Sequence, residues 1–117
     1  MKILIVDDSM TSRMLFKAYM PKDGQHELFE ASALPDALEM MREVRPELVV
    51  LDYNMPEYNG VEMARVMLDA GFKAKFVLLT ANTQRTVVDS ALAAGFILVV
   101  EKPVNAAKVA ALLTQVA

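Results

Sequence analysis

The stretch "LVVLDYNMPEYNG", Leu48 to Gly60, decides how the rest of the chain is read. Leu48 to Leu51 are four consecutive apolar residues, the signature of a strand buried on both faces. They run directly into Asp52. Met55-Pro56 then breaks regular structure, and Gly60 opens a helical pattern carried by Val61, Ala64, Met67 and Leu68. A buried strand that ends in a carboxylate, then a loop, then an amphipathic helix is one βα unit.

The same unit recurs along the chain. Apolar runs stand at "KILIV" (Lys2 to Val6), "ELFEA" (Glu27 to Ala31), "FVLL" (Phe76 to Leu79) and "FILVV" (Phe96 to Val100). The segments between and after them have helical periodicity, ending with "NAAKVAALLTQVA". Pro35 suits a first helical turn, and Gly71 and Gly95 sit where helices should stop. Five βα units in 117 residues predict an α/β fold, a parallel sheet covered by helices on both faces. Only the second strand alternates in polarity, as an edge strand does. No linker or repeat divides the chain, so residues 1–117 read as one domain.

Composition narrows the function. With 55% hydrophobic and 23% charged residues the chain is neither disordered nor of low complexity. It has no cysteine, which excludes a disulfide framework, a zinc thiolate site and a thiol nucleophile, and suits a reducing cytoplasm. A net charge of −3 argues against direct nucleic-acid binding. The N-terminal apolar run is too short for a signal peptide, and no segment approaches a membrane span.

Chemistry collects at the strand ends. The first strand ends at Asp7-Asp8, the third at Asp52, the fourth at Thr80-Ala81 and the fifth at Glu101-Lys102-Pro103. In an open parallel sheet the carboxyl ends of the strands face one crevice, where ligands bind. Three carboxylates crowded there repel one another unless a hard cation neutralises them, and Mg²⁺ is the oxygen-seeking candidate. The sole histidine, His26, precedes the second strand and belongs at the opposite end of the sheet, in a loop or on the surface, which disfavours softer metals. A carboxylate can attack phosphorus to give an acyl phosphate, with a metal and Lys102 neutralising the developing charge. Asp52, from the presumed middle strand, is the best nucleophile; Asp7 and Asp8 are better placed to hold metal. Each residue alone has a plainer reading: Asp8 or Ser9 as a helix cap, Lys102 as a solvated lysine, Thr80 as an ordinary strand end, and the nine methionines as core filler.

The motifs "VDDS" (Val6 to Ser9), "LDYNMPEYNG" (Leu51 to Gly60), "LLTA" (Leu78 to Ala81) and "EKP" (Glu101 to Pro103) occur in order at the strand ends. With them the chain resembles the receiver domain of two-component response regulators over essentially its whole length, closest to the single-domain chemotaxis type. The resemblance implies a flavodoxin-like, doubly wound (βα)5 fold with strand order 2-1-3-4-5. It implies Asp52 as phosphoacceptor, and Mg²⁺ (or Mn²⁺) on Asp7, Asp8, Asp52 and the backbone carbonyl of Asn54. Ala81 and Asn54 would border the phosphoryl group. Thr80 would move toward it and Lys102 would pair with it, its bond to Pro103 being cis.

Such a domain is a regulatory switch rather than an enzyme with a separate substrate; it catalyses its own phosphorylation and dephosphorylation. The implied partners are a sensor histidine kinase or histidine phosphotransfer protein, and a downstream protein on the helix 4–strand 5–helix 5 face. The resemblance also allows a homodimer on phosphorylation. One position departs from the pattern: the switch aromatic, three residues before the lysine, is Val99. Valine has no ring to rotate, which puts the usual threonine–aromatic coupling in question. Asn54 and Asn82 occupy the positions that tune phosphoryl lifetime, and neither is an acid or base. Helix 5 should turn Val109, Leu112, Leu113 and Val116 inward, with Ala106, Ala107, Ala110 and Ala111 beside them; the alanines read first as good helix formers and second as an apolar rim for a partner or dimer. Two rival readings are a phosphate-independent interaction module and a Mg²⁺-dependent phosphatase. The complete acidic set argues against the first, and Asn54, where a second acid would be needed, argues against the second.

Overall fold

A computed structural model describes residues 1–116. Strands and helices alternate: β1 (Lys2–Val6), α1 (Met10–Tyr19), β2 (Glu27–Ala31), α2 (Leu34–Val44), β3 (Leu48–Asp52), α3 (Gly60–Asp69), β4 (Lys75–Thr80), α4 (Arg85–Ala93), β5 (Leu98–Glu101) and α5 (Ala106–Val116). The strands form one parallel sheet of order β2-β1-β3-β4-β5. This is the flavodoxin-like arrangement that the motifs imply, with the alternating strand β2 at an edge.

Because successive strand residues face opposite sides, each strand feeds two cores. Leu4, Val6, Val49, Leu51, Phe76 and Leu78 face α2, α3 and α4, where Met41, Met63, Ala64, Met67 and Ala91 close over them. Ile3, Ile5, Leu48, Val50, Val77 and Leu79 face α1 and α5, under Phe16, Val109, Leu112, Leu113 and Val116. The inward stripe of α5 is the one read from its sequence, and its four alanines (Ala106, Ala107, Ala110, Ala111) lie on the exposed side.

Local chemistry sets the helix ends. Asn59 caps α3 in a reciprocal box with Glu62, and Pro35 lies in the first turn of α2. Gly71 and Gly95, at φ of 90° and 96°, follow the ends of α3 and α4, as expected of helix-terminating glycines. Ser9, rather than Asp8, caps α1, accepting the Ser12 N–H at 3.2 Å.

Four details differ from expectation. Strand β5 starts at Leu98, not Phe96: Phe96 turns into the core against Phe76, ring centroids 5.8 Å apart. Though its apolar run reads like that of a strand buried on both faces, β5 is only partly covered, at the edge that the expected strand order gives it. The methionines are not all core filler, since Met10 and Met14 on α1 are 65% and 61% exposed. His26 stands at the amino end of the sheet, as expected, but it is half-buried and its Nδ1 is shielded without a hydrogen-bond partner.

Candidate functional site

Among the described residues, the buried polar side chains are Asp7, Asp52 and Thr80. All three lie at the carboxyl ends of β1, β3 and β4. Burying polar groups is costly without compensation, so their company at one end of the sheet marks a site.

Asp52 is the last residue of β3, paired in register with Leu79 of β4, and is 5% exposed. The chain leaves it through the Tyr53 N–H, which donates to the Leu79 carbonyl at 2.9 Å. It then loops back so that the Gly60 N–H donates to the Tyr53 carbonyl at 3.1 Å. The start of α3 thereby presses on the acid: a Cβ at Gly60 would lie 2.6 Å from the Asp52 carbonyl oxygen and 2.8 Å from Leu78 Cδ1. Glycine at position 60 is required by this approach, not by the turn.

Lys102 reaches the same point from the end of β5. Its Nζ donates to Asp7 Oδ2 at 2.9 Å, stands 3.1 Å from Asp52 Oδ1, and lies 3.3 Å from Ser12 Oγ. Its backbone N–H donates to the Thr80 carbonyl, and the Lys102–Pro103 bond is cis. Lys108 Nζ donates to the carbonyls of Glu101 and Pro103 at 2.9 and 3.1 Å, steadying the loop that carries Lys102.

Asp7, Asp8 and Asp52 each offer a carboxylate oxygen, all within 4.8 Å of one another. Three carboxylates against one ammonium leave two negative charges in excess. Burial pushes the Asp52 carboxyl above the ordinary carboxylate range and Asp7 adds to the rise; Lys102 and the Asn54 backbone oppose it. Burial works against the charge of Lys102, but Asp7 and Asp52 outweigh it and hold its pKa raised. The ammonium therefore stays charged while the acid cluster remains under-neutralised. An all-oxygen cluster short of two positive charges fits a hard divalent cation.

Of the residues expected at the site, Asp7, Asp8, Asp52 and Lys102 are brought together. Thr80 is at the neighbouring strand end, but its hydroxyl is turned to its own loop: it accepts the Asn82 N–H at 2.9 Å and lies 3.2 Å from the Asn82 carbonyl. Ala81 follows it and, with Ser12, Leu15, Leu79, Lys102, Pro103 and Val104, lines a small cavity between α1 and the β5–α5 loop. Asn54 is exposed in the loop after Asp52. Val99 lies away from the acids, half-buried against the α2–α4 side and paired with Leu78. Ser12, Lys108 and Arg13 were not singled out from sequence; Arg13 donates to the Asp7 carbonyl.

The sheet order, the acid cluster and the strand-end lysine together define a receiver domain. The pattern of the response regulator receiver domain matches residues 3–114, and the chain belongs to that family, the receiving modules of two-component signalling. Within it, the chain is similar to single-domain chemotaxis proteins. Chemotaxis protein CheY of Thermotoga maritima is 31% identical over 115 residues, covering 98% of this chain and 96% of the relative. CheY of Listeria monocytogenes is 34% identical over 110 residues, covering 93% and 92%. The crystal structure of Vibrio cholerae chemotaxis protein CheY4 superposes with a TM-score of 0.87 at 26% identity, covering 99% of this chain and 98% of that one. Among the described residues, no helix is long and apolar enough to cross a membrane.

Proposed function

We propose that this chain is a phosphorylation-dependent signalling switch in which Asp52 accepts a phosphoryl group from a phosphohistidine donor. The observation that carries the reading is the placement of Lys102, within 2.9 Å of Asp7 and 3.1 Å of Asp52, inside a cluster of three acids. The whole of residues 1–117 acts as one receiver unit.

Asp7, Asp8, Asp52 and the Asn54 carbonyl would hold Mg²⁺, or Mn²⁺ in its place, which would supply positive charge to neutralise the phosphoryl oxygens. An Asp52 carboxylate oxygen attacks phosphorus while the P–N bond to the donor breaks, its electron pair returning to the ring nitrogen; with the other ring nitrogen protonated, histidine leaves as neutral imidazole. Burial of Asp52 keeps its carboxylate poorly solvated and fixed in line. Lys102 is charged before the reaction and pairs with the incoming dianion by charge-assisted hydrogen bonds. Ala81 and Asn54 border the phosphoryl group; the absence of a bulky side chain at Ala81 leaves room for its oxygens.

The Thr80 hydroxyl exchanges its Asn82 contacts for a phosphoryl oxygen, which draws the β4–α4 loop inward. The response spreads to the α4–β5–α5 face, where Leu92, Ile97 and the α5 alanines are exposed to a downstream protein or a second copy of the chain. Val99 transmits it by a shift in packing, having no ring to rotate. The donor is a sensor histidine kinase or histidine phosphotransfer protein, and the setting is the cytoplasm.

Incubation with MgCl₂ and acetyl phosphate, followed by intact mass measurement, tests the reading. One added phosphoryl group is expected, lost in Asp52→Asn and in EDTA. An unmodified wild-type mass, together with no binding of beryllofluoride, would leave a phosphate-independent interaction module as the better account.

A further inference from the structure

The peptide that joins Asp7 to Asp8 is held from both sides. Its carbonyl oxygen, on Asp7, accepts a hydrogen bond from Arg13 Nη1 at 2.6 Å. Its N–H, on Asp8, donates to the thioether sulfur of Met55 at 3.2 Å. Arg13 is itself fixed, because its Nε donates to Glu30 Oε1 on edge strand β2 at 3.0 Å, and its side chain is only 15% exposed. The rest of Asp7 is anchored too: its N–H donates to the Ala31 carbonyl at 3.1 Å, and its Oδ1 accepts the Ser9 N–H at 2.9 Å. None of these contacts takes part in the transfer chemistry above.

The geometry gives them a purpose. Consecutive side chains leaving a strand point apart, yet Asp7 and Asp8 must bring oxygens to one point beside Asp52. Whether they do so depends on the rotation of the single peptide between them. A peptide bonded on both its carbonyl and its N–H has little freedom to rotate, so the two carboxylates are aimed before any ligand arrives. Met55 is one residue past Asn54 on the loop that follows Asp52, so the same contact also ties the β3–α3 loop to the β1–α1 loop.

We propose that Arg13 and Met55 are positioning residues that clamp the Asp7–Asp8 peptide and thereby set the affinity of the acid cluster for a divalent cation. The proposal rests on the reading of that cluster as a Mg²⁺ site. It differs from two simpler accounts. If Arg13 only braced α1 against β2, its loss would lower stability and leave Mg²⁺ affinity alone. If Arg13 acted only through its charge, its loss would tighten Mg²⁺ binding by removing a nearby positive group. The clamp alone predicts weaker binding.

Calorimetric titration of MgCl₂ into the full chain, paired with thermal unfolding in EDTA, separates these accounts. Arg13→Gln is expected to raise the Mg²⁺ dissociation constant about tenfold, the usual scale for residues that orient metal ligands. Arg13→Lys should recover only part of that loss, since an ammonium cannot fork between the Asp7 carbonyl and Glu30. Met55→Leu keeps volume and charge but removes a weak acceptor, and should weaken binding about threefold. The double variant should fall short of the product of the two, because both act on one peptide. Wild-type binding with an unchanged or tighter constant in Arg13→Gln would overturn the clamp. If Arg13→Gln does not fold, an unchanged constant in Met55→Leu would do the same. Failure of the wild type to bind Mg²⁺ at all would instead overturn the metal reading, and the clamp with it.

Discussion

The tripeptide Leu-Val-Val occurs twice, at Leu48–Val50 in β3 and at Leu98–Val100 in β5. In β3 all three residues are fully buried; in β5 Leu98 and Val99 are half-covered and Val100 is 9% exposed. The residues are identical, so the neighbours make the difference. β3 lies between β1 and β4, with helices above and below, whereas β5 has β4 on one side only. Each strand delivers a charged residue to the site, Asp52 from the centre and Lys102 from the margin. The centre holds Asp52 still, as the proposed nucleophile requires. The margin leaves Lys102 freer to respond, as the proposed switch requires.

The comparison is easiest to break with paired truncations. Leu48→Ala should cost about 3 kcal/mol and Leu98→Ala about 1 kcal/mol, because only the first leaves a closed cavity. Urea unfolding gives both values; equal losses would end the distinction between centre and margin.

A smaller effect is expected from Gly60→Ala, which drives a Cβ toward the Asp52 carbonyl. A loss of about 2 kcal/mol is the scale of overpacking against backbone. No loss would mean that β3 gives way and is not the fixed element described here.

Asp52→Asn should stabilise the metal-free protein by about 1 kcal/mol, or roughly 4 °C in Tm, by removing a charge that burial, and then Asp7, disfavours. The sign follows from the raised carboxyl. Below the unfolded value of 3.8 the acid is protonated in both states and its contribution to stability is fully present; that contribution is lost as pH rises through the higher folded value. The Tm gap between variant and wild type, measured in EDTA, should therefore be small near pH 3.5 and full at pH 7. Saturating Mg²⁺ should shrink or reverse it, by stabilising the wild type more than the variant.

The smallest change is expected at Val99→Ala, about 0.5 kcal/mol, against about 2 kcal/mol for Val49→Ala at the same face of β3. Similar losses at both positions would mean that β5 is as tightly held as the centre.

Much of the fold was legible because apolar runs and turn residues agreed. β1 and β2 fall on the stretches read from sequence, and Pro35, Gly71 and Gly95 act where the sequence puts punctuation. The start of β5 was not legible, since an apolar run does not reveal where pairing begins; Phe96 and Leu98 read alike, but one fills the core and the other joins the sheet. At the site, the strand-end rule found Asp7, Asp8, Asp52 and Lys102 because topology alone brings strand ends together. It could not find Arg13, Ser12 or Met55, whose roles depend on side chains reaching back across loops. Nor could it tell that the Thr80 hydroxyl would be engaged by Asn82, two residues along its own loop.

The sheet has two open margins, and neither makes a good template for a foreign strand. β5 spans four residues and closes on Glu101, Lys102 and Pro103, so it presents few backbone groups and stops at a residue with no N–H to offer. β2 carries Glu27 and Glu30 in five residues. Short length, charge and proline are the means by which sheet proteins avoid joining edge to edge. A protein built this way can leave apolar helix residues such as Met10, Met14 and Leu92 exposed while its β-sheet stays closed to edge-to-edge aggregation.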